Sequence, residues 1–224
     1  MMYPVLLAVM RLAAGVGVAP LLSQRTGAAA VYDADSGTVY VLGGSAAVPS
    51  STVPMFLSSG ERLQDTRGHP SLWRWSALAA GMTVPREGAA AVHYDGALYV
   101  VGGRGCRPNA VCLHASVERL QRPGLAGASW ELLASMRVPR YRPAAGVLGD
   151  ALYVVGGRGV PDFGELQSGE RFDFATQRWH GLPPMLSRGW SAVALVPVDG
   201  TLRLISSNAS AGPEPGAGVG PEVS

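Results

Sequence analysis

An all-β fold built from repeated four-stranded units is what this 224-residue sequence predicts, and three features predict it. First, residues 25–44, 86–103, 140–157 and 188–207 share one order: an arginine, a short apolar strand, a turn rich in Asp and Gly, then a second apolar strand. Second, the first three of these segments end in Gly-Gly pairs that begin at 43, 102 and 156, giving periods of 59 and 54 residues. Third, Trp75, Trp130 and Trp179 recur 55 and 49 residues apart, each followed six or seven residues later by Met82, Met136 or Met185. Landmarks of such different chemistry keeping one cadence mark a structural repeat. Four antiparallel strands per period is the cadence of a blade in a β-propeller.

The elements follow in order. Residues 1–24 precede the repeats as an apolar segment interrupted by Pro4, Arg11 and Pro20. No basic stretch opens it as a signal peptide would, and a membrane span would be broken by its Arg and prolines. No membrane span is expected. Leu6-Leu7-Ala8-Val9-Met10-Arg11 matches Leu132-Leu133-Ala134-Ser135-Met136-Arg137, which reads the segment as the last strand of a preceding blade. A signal segment is the alternative.

The first repeat covers residues 25–85, and its Ser/Pro-rich stretch 45–71 predicts a long, mobile face loop. The second, 86–139, is the clearest. Residues 89–93 and 97–101 are β-rich runs joined by Tyr94-Asp95-Gly96, a tight-turn signal. Gly102-Gly103 then ends the strand and admits neighbouring chain where a Cβ would not fit. Residues 116–121 and 129–133 supply strands three and four. The third repeat spans 140–187, and 188–207 is partial, with Ser206-Ser207 in place of Gly-Gly and Arg203 in place of the usual Tyr. Residues 208–224 predict a disordered tail, whose Asn208-Ala209-Ser210 sequon matters only in a secreted chain.

Composition narrows the function. All 18 cationic side chains are arginine, against 16 acids, and the net charge of +2 argues against a dedicated nucleic-acid binder. With 30 Gly, 17 Pro and only 15% charged residues, a coiled coil and a highly charged disordered chain are excluded. No GxSxG, HExxH or P-loop motif occurs, so neither catalysis nor a cofactor is expected. Cys106 and Cys112 form no disulfide framework, and with His114 they lack a fourth zinc ligand. A loop disulfide or two free thiols are the readings kept, and no metal is expected. His69, His93, His114 and His180 are scattered, and His93, in a strand, is assigned to core or surface.

Residues 116–157, SVERLQRPGLAGASWELLASMRVPRYRPAAGVLGDALYVVGG, resemble the kelch repeat in their Ser-Val-Glu, spaced Trp, Met, Arg and LYVVGG. The likeness extends over roughly residues 25–207. It implies a kelch-type propeller that is incomplete, since three Gly-Gly units and a half do not close a ring and leave strand edges exposed. The sequence is most similar to the propellers of BTB-kelch proteins, the substrate receptors of cullin-3 ubiquitin ligases. That resemblance implies a non-enzymatic, cytoplasmic module that binds another protein through an acidic peptide motif, with self-association as one way to complete the ring. The alternatives are a secreted or periplasmic propeller enzyme or sugar-binding protein, and a nonfunctional fragment.

Loop arginines are the candidate contacts. Arg86, Arg140 and Arg188 occupy equivalent links between blades, Arg142 follows Arg140 by two, and Arg104 and Arg158 directly follow Gly-Gly. In BTB-kelch receptors, arginines in links like VPRYR resemble those that grip acidic motifs, for which the planar guanidinium fork is suited. Arg86, Arg140 and Arg188 have a structural alternative, holding a loop through its carbonyls. Trp75, Trp130, Trp179, Tyr40, Tyr99 and Tyr153 are read as blade-to-blade packing, and Glu118 and Glu170 as hydrogen-bonding within the blade.

Overall fold

The computed structural model describes residues 20–49, 51, 53–65, 73–105, 112–185 and 192–206. The readings of residues 1–19 and of the tail therefore lie outside the described residues. Strands β1 (Ala29–Asp33) and β2 (Thr38–Leu42) are followed by a small ribbon of β3 (Ser45–Ala46) and β4 (Met55–Phe56), then by β5 (Gly60–Asp65) and β6 (Trp73–Ala77). The second blade holds β7 (Ala90–Tyr94), β8 (Ala97–Val101), β9 (Val117–Gln121) and β10 (Trp130–Leu133). The third holds β11 (Ala144–Leu148), β12 (Ala151–Val155), β13 (Gly169–Asp173) and β14 (Arg178–Gly181), and β15 (Ala192–Val198) pairs with β16 (Thr201–Ser206). The sheets run β1-β2-β5-β6, β7-β8-β9-β10 and β11-β12-β13-β14, plus the two-stranded pair. Among the described residues no helix is long and apolar enough to cross a membrane.

Turn chemistry fixes the first hairpin of each blade. Asp95 and Gly96 adopt φ of 47° and 68°, the left-handed pair that a two-residue hairpin turn requires, and Asp199-Gly200 repeat it at 50° and 75°. Register is then common to all blades. Tyr40 faces Arg62, Tyr99 faces Arg119, and Tyr153 faces Arg171.

That register corrects one expectation. The stretch 45–71 is not a continuous loop, because it contains the ribbon and the third strand β5. Gly60-Glu61-Arg62-Leu63-Gln64 is the counterpart of Val117-Glu118-Arg119-Leu120-Gln121, and the Ser/Pro composition around it hid the match.

The core lies between blades. Val31, Tyr40, Leu42 and Met82 of the first meet Leu98, Val100, Leu120 and Trp130 of the second. On the second blade's other side, Val92, Tyr99, Val101 and Met136 meet Leu152, Val154, Phe172 and Trp179. Alternate residues of β8 thus serve opposite neighbours, as a pleated strand buried on both faces must. The indole N–H of Trp130 donates to Ala80 O at 3.2 Å, and that of Trp179 to Ala134 O at 2.8 Å, so both bind across a blade boundary. First strands β1, β7, β11 and β15 neighbour one another in succession and form the inner wall.

Gly-Gly closes each boundary. Gly43 and Gly102 have φ of 65° and 70°, and a Cβ on them would lie 2.4 Å from Arg86 O and 2.6 Å from Arg140 O. Gly44 N–H donates to Arg86 O, and Gly103 N–H to Arg140 O, both at 2.8 Å. The second strand of one blade is thereby tied to the lead-in of the next.

Candidate functional site

The repeated arginine forms an internal latch. Arg86 is 1% exposed and donates to Gly102 O at 2.9 Å, Ser116 O at 3.1 Å and the Glu118 carboxylate at 2.6 Å. Glu118 in turn accepts the N–H groups of Thr83 at 2.6 Å and Val84 at 3.1 Å. Arg140, 0% exposed, repeats this with Gly156 O, Ser168 O and Glu170, and Glu170 accepts from the N–H of Arg137 and Val138. Burial pulls both guanidinium pKa values down, and the partner carboxylates work against it.

Arg86 and Arg140 are therefore corrected as partner contacts. A cation with every outward path closed cannot meet a ligand, and the loop-holding alternative describes them. Glu118 and Glu170 reach beyond their strands, to the segment that leads into their own blade. Arg188 lies outside the described residues. The same latch occurs at Arg25 and Glu61, 2.7 Å apart, which were not among the sequence candidates. Their signal was the Gly60-Glu61-Arg62 triplet, repeated at Gly169-Glu170-Arg171.

Beyond the latch the lead-ins diverge, and there the remaining arginines gather. Gly88 N–H donates to Gly27 O and Arg142 N–H to Gly88 O, both at 2.8 Å, stitching the three lead-ins around the inner wall. All three residues are left-handed, with φ of 61°, 62° and 53°. Glycine takes this conformation freely, but at Arg142 it costs about 1–2 kcal/mol.

Arg142 is exposed, and its guanidinium lies 5.1 Å from the centroid of the Tyr141 ring. Arg104 lies 4.7 Å from the same centroid and 3.3 Å from Glu87. Arg158 is exposed and exchanges two backbone hydrogen bonds with Tyr141, both 2.8 Å. Tyr141 is buried; its hydroxyl donates to Glu87 at 3.0 Å, and Phe163 meets its ring edge-on. Burial first, and then the Glu87 hydrogen bond, push the Tyr141 pKa up. Arg104 and Arg142 are thus brought together around one aromatic ring, with Arg158 joined to the same residue through its backbone and buried Glu87 offsetting part of the charge. Glu165, exposed, adds a second acid nearby.

Beside this surface, Cys112 is disulfide-bonded. His114 has its Nε2 buried without a hydrogen-bond partner among the described residues. Burial, and then the Arg86 charge, hold its pKa below the usual range.

Comparison with known proteins agrees with the repeat pattern. Residues 139–186 match the Kelch motif family. The chain is similar to Beta-scruin of Limulus polyphemus, 33% identical over 135 residues that make up 59% of this chain and 14% of that protein. It is also similar to F-box/kelch-repeat protein At1g22040 of Arabidopsis thaliana, 36% identical over 46% of this chain and 20% of that protein. Kelch-like ECH-associated protein 1B of Danio rerio is 36% identical over 40% of this chain and 14% of that protein. The chain thus spans a fifth or less of these relatives. Among solved structures, that of YjhT superposes with a TM-score of 0.64 over 84% of this chain and 58% of that one, at 19% identity, a likeness of fold. Repeat order, blade geometry and these matches lead to one conclusion: the chain is built of kelch-type repeats, of which residues 139–186 match the Kelch motif.

Proposed function

We propose that this chain is a protein-interaction module whose lead-in face binds an acidic peptide segment. One observation carries the reading: the guanidinium groups of Arg104 and Arg142 converge on the Tyr141 ring, exposed Arg158 pairs with Tyr141 through its backbone, and Arg142 stands in a backbone conformation that its counterparts fill with glycine. Two guanidinium groups over one ring repel each other, and an arriving carboxylate would relieve that repulsion while pairing with the planar forks. A finer form of the reading, substrate recognition for ubiquitination, is supported by the partial likeness to an F-box/kelch-repeat protein and to a Kelch-like ECH-associated protein.

The test uses fluorescence anisotropy with a labelled peptide carrying an Asp/Glu-rich turn. Binding should weaken as salt rises. Arg142→Ala with Arg158→Ala should lower affinity at least tenfold, while Arg178→Ala, on the outer strand β14, leaves it unchanged. Equal affinity of the double variant and the parent would sink the proposal.

A second observation bears on the compartment. The disulfide at Cys112 supports the secreted alternative over the cytoplasmic one, because cytosolic thiols are kept reduced. Mass spectrometry of alkylated protein from its natural source separates the two: modified thiols favour the cytosol and the ubiquitination reading, and protected ones favour export. Self-association is supported by the outer edge of β16, which among the described residues has no third strand, unlike β2, β8 and β12.

A further inference from the structure

One end of the blade series is closed without a blade to close it. In the second blade, Leu98, Leu120 and Trp130 are paired neighbours on β8, β9 and β10, and they meet the first blade. Leu152, Phe172 and Trp179 form the same row in the third blade and meet the second. Val39, Leu63 and Trp75 are the corresponding row of the first blade, and among the described residues no blade precedes it. Val39 and Leu63 are nevertheless 1% exposed each, as closed as Leu120 and Phe172. We propose that residues 15–21 of this chain cover that row, standing in for the outer strand and link of a preceding blade.

The latch supplies the register. Glu118 accepts the N–H groups of Thr83 and Val84, three and two residues before Arg86, and Glu170 those of Arg137 and Val138, three and two before Arg140. Glu61 does the same before Arg25, taking the N–H of Leu22 at 2.7 Å and of Ser23 at 3.0 Å. Residues 21–25 therefore run in the frame of 82–86 and 136–140. Four residues before the arginine stand Met82 and Met136, each packed into a blade boundary, and half-buried Leu21 holds that place in the first repeat. Six before it stand Ala80 and Ala134, whose carbonyls accept the indole N–H of Trp130 and Trp179. Ala19 falls at this position, which assigns its carbonyl to Trp75. Leu133, seven before Arg140, packs against the same cluster as Met136, and Val18 takes its place.

The cover is a strand wide. Val41 is half-buried where its counterparts Val100 and Val154 are 0% exposed, so less lies over it than a whole blade would bring. Gly15-Val16-Gly17-Val18 alternates at strand period and puts both valines on one face. A stacked array needs such a cap at its end, where an apolar face otherwise meets water. Capping this end leaves the β16 edge as the place for a partner, so a dimer would form two-fold through β16 rather than head to tail.

The test sets a photo-cross-linker in the full chain. Val18→p-benzoylphenylalanine should, on irradiation, join the peptide carrying Val39 or Leu63 within one chain, as mapped by mass spectrometry after digestion. Attachment elsewhere or to a second chain overturns the inference, as does reaching those peptides from Leu6 in place of Val18. In urea titrations Val18→Asp should lower the folded-to-unfolded ratio more than about tenfold, because it sets a charge against a dry apolar row. Gln24→Asp, at an exposed position, should leave the midpoint where it is. An unchanged midpoint in Val18→Asp overturns the inference, and if that variant does not fold the cross-link decides.

Discussion

At the scale of single residues, the molecule separates two kinds of arginine that look alike in sequence. Arg140 and Arg142 are two positions apart, yet one is sealed in a latch and the other projects from a strained backbone. Their variants should differ in kind. Glu118→Ala leaves the Arg86 charge buried without its partner, a change that costs about 3–5 kcal/mol, read as a lower urea midpoint. Arg142→Gly should do the reverse, relieving the left-handed strain and raising stability by about 1 kcal/mol while peptide affinity falls. Destabilisation by Arg142→Gly would remove the argument from strain. His114 adds a pH dependence. Its folded pKa is held below the usual 6.5 by burial, so the unfolded chain binds the proton more readily. Stability is therefore full above about pH 6.5 and declines as pH falls below it, and His114→Phe should flatten that slope in urea titrations.

At the scale of elements, the strands were legible because periodicity and turn residues agreed. The second blade's β8 was read with its bounds intact, and β9 and β10 within a residue. Trp130 and Trp179 pack across blades as their spacing implied. Trp130→Ala should therefore cost about 3–5 kcal/mol and lower the thermal midpoint, with peptide binding lost only alongside the fold. Two features escaped. Strand β5 lay inside a stretch whose serines and prolines outweighed its pattern, although its Glu-Arg-Leu-Gln run was in plain view. The meeting of Asp33, Asp35 and His93 could not be read at all, since His93 lies 58 residues or more from the two aspartates, on the next blade, and only the docking of inner strands brings them together. Arginine exposure was half legible. The repeat marked which positions were equivalent, but burial depends on whether a glutamate from the third strand arrives to meet each one.

At the scale of the whole molecule, the boundaries between blades hold both buried apolar clusters, so the proposed self-association turns on what meets the ends of the blade series. Among the described residues, the β16 edge has no third strand of the kind that the other blades carry. Light scattering of residues 1–224 should give a multiple of the 23.2 kDa chain mass. A monomer that unfolds cooperatively would rule out self-completion and turn attention to a different partner for that edge.

The latch has a further consequence, for how such chains change over evolutionary time. Each arginine and its glutamate belong to the same repeat, Arg25 with Glu61, Arg86 with Glu118 and Arg140 with Glu170. What crosses at both boundaries is instead generic, an aliphatic face, a tryptophan N–H on a carbonyl and a glycine amide on a peptide oxygen, while the Tyr141–Glu87, Tyr94–Asp150 and Asp33–His93 pairs each belong to one boundary. A duplicated or deleted repeat carries its charge balance with it and presents the same generic faces on either side. Blade number can therefore change in single genetic events without stranding a buried ion. The lead-in residues that follow the latched arginine stay free to diverge, as Thr26, Glu87 and Tyr141 have done.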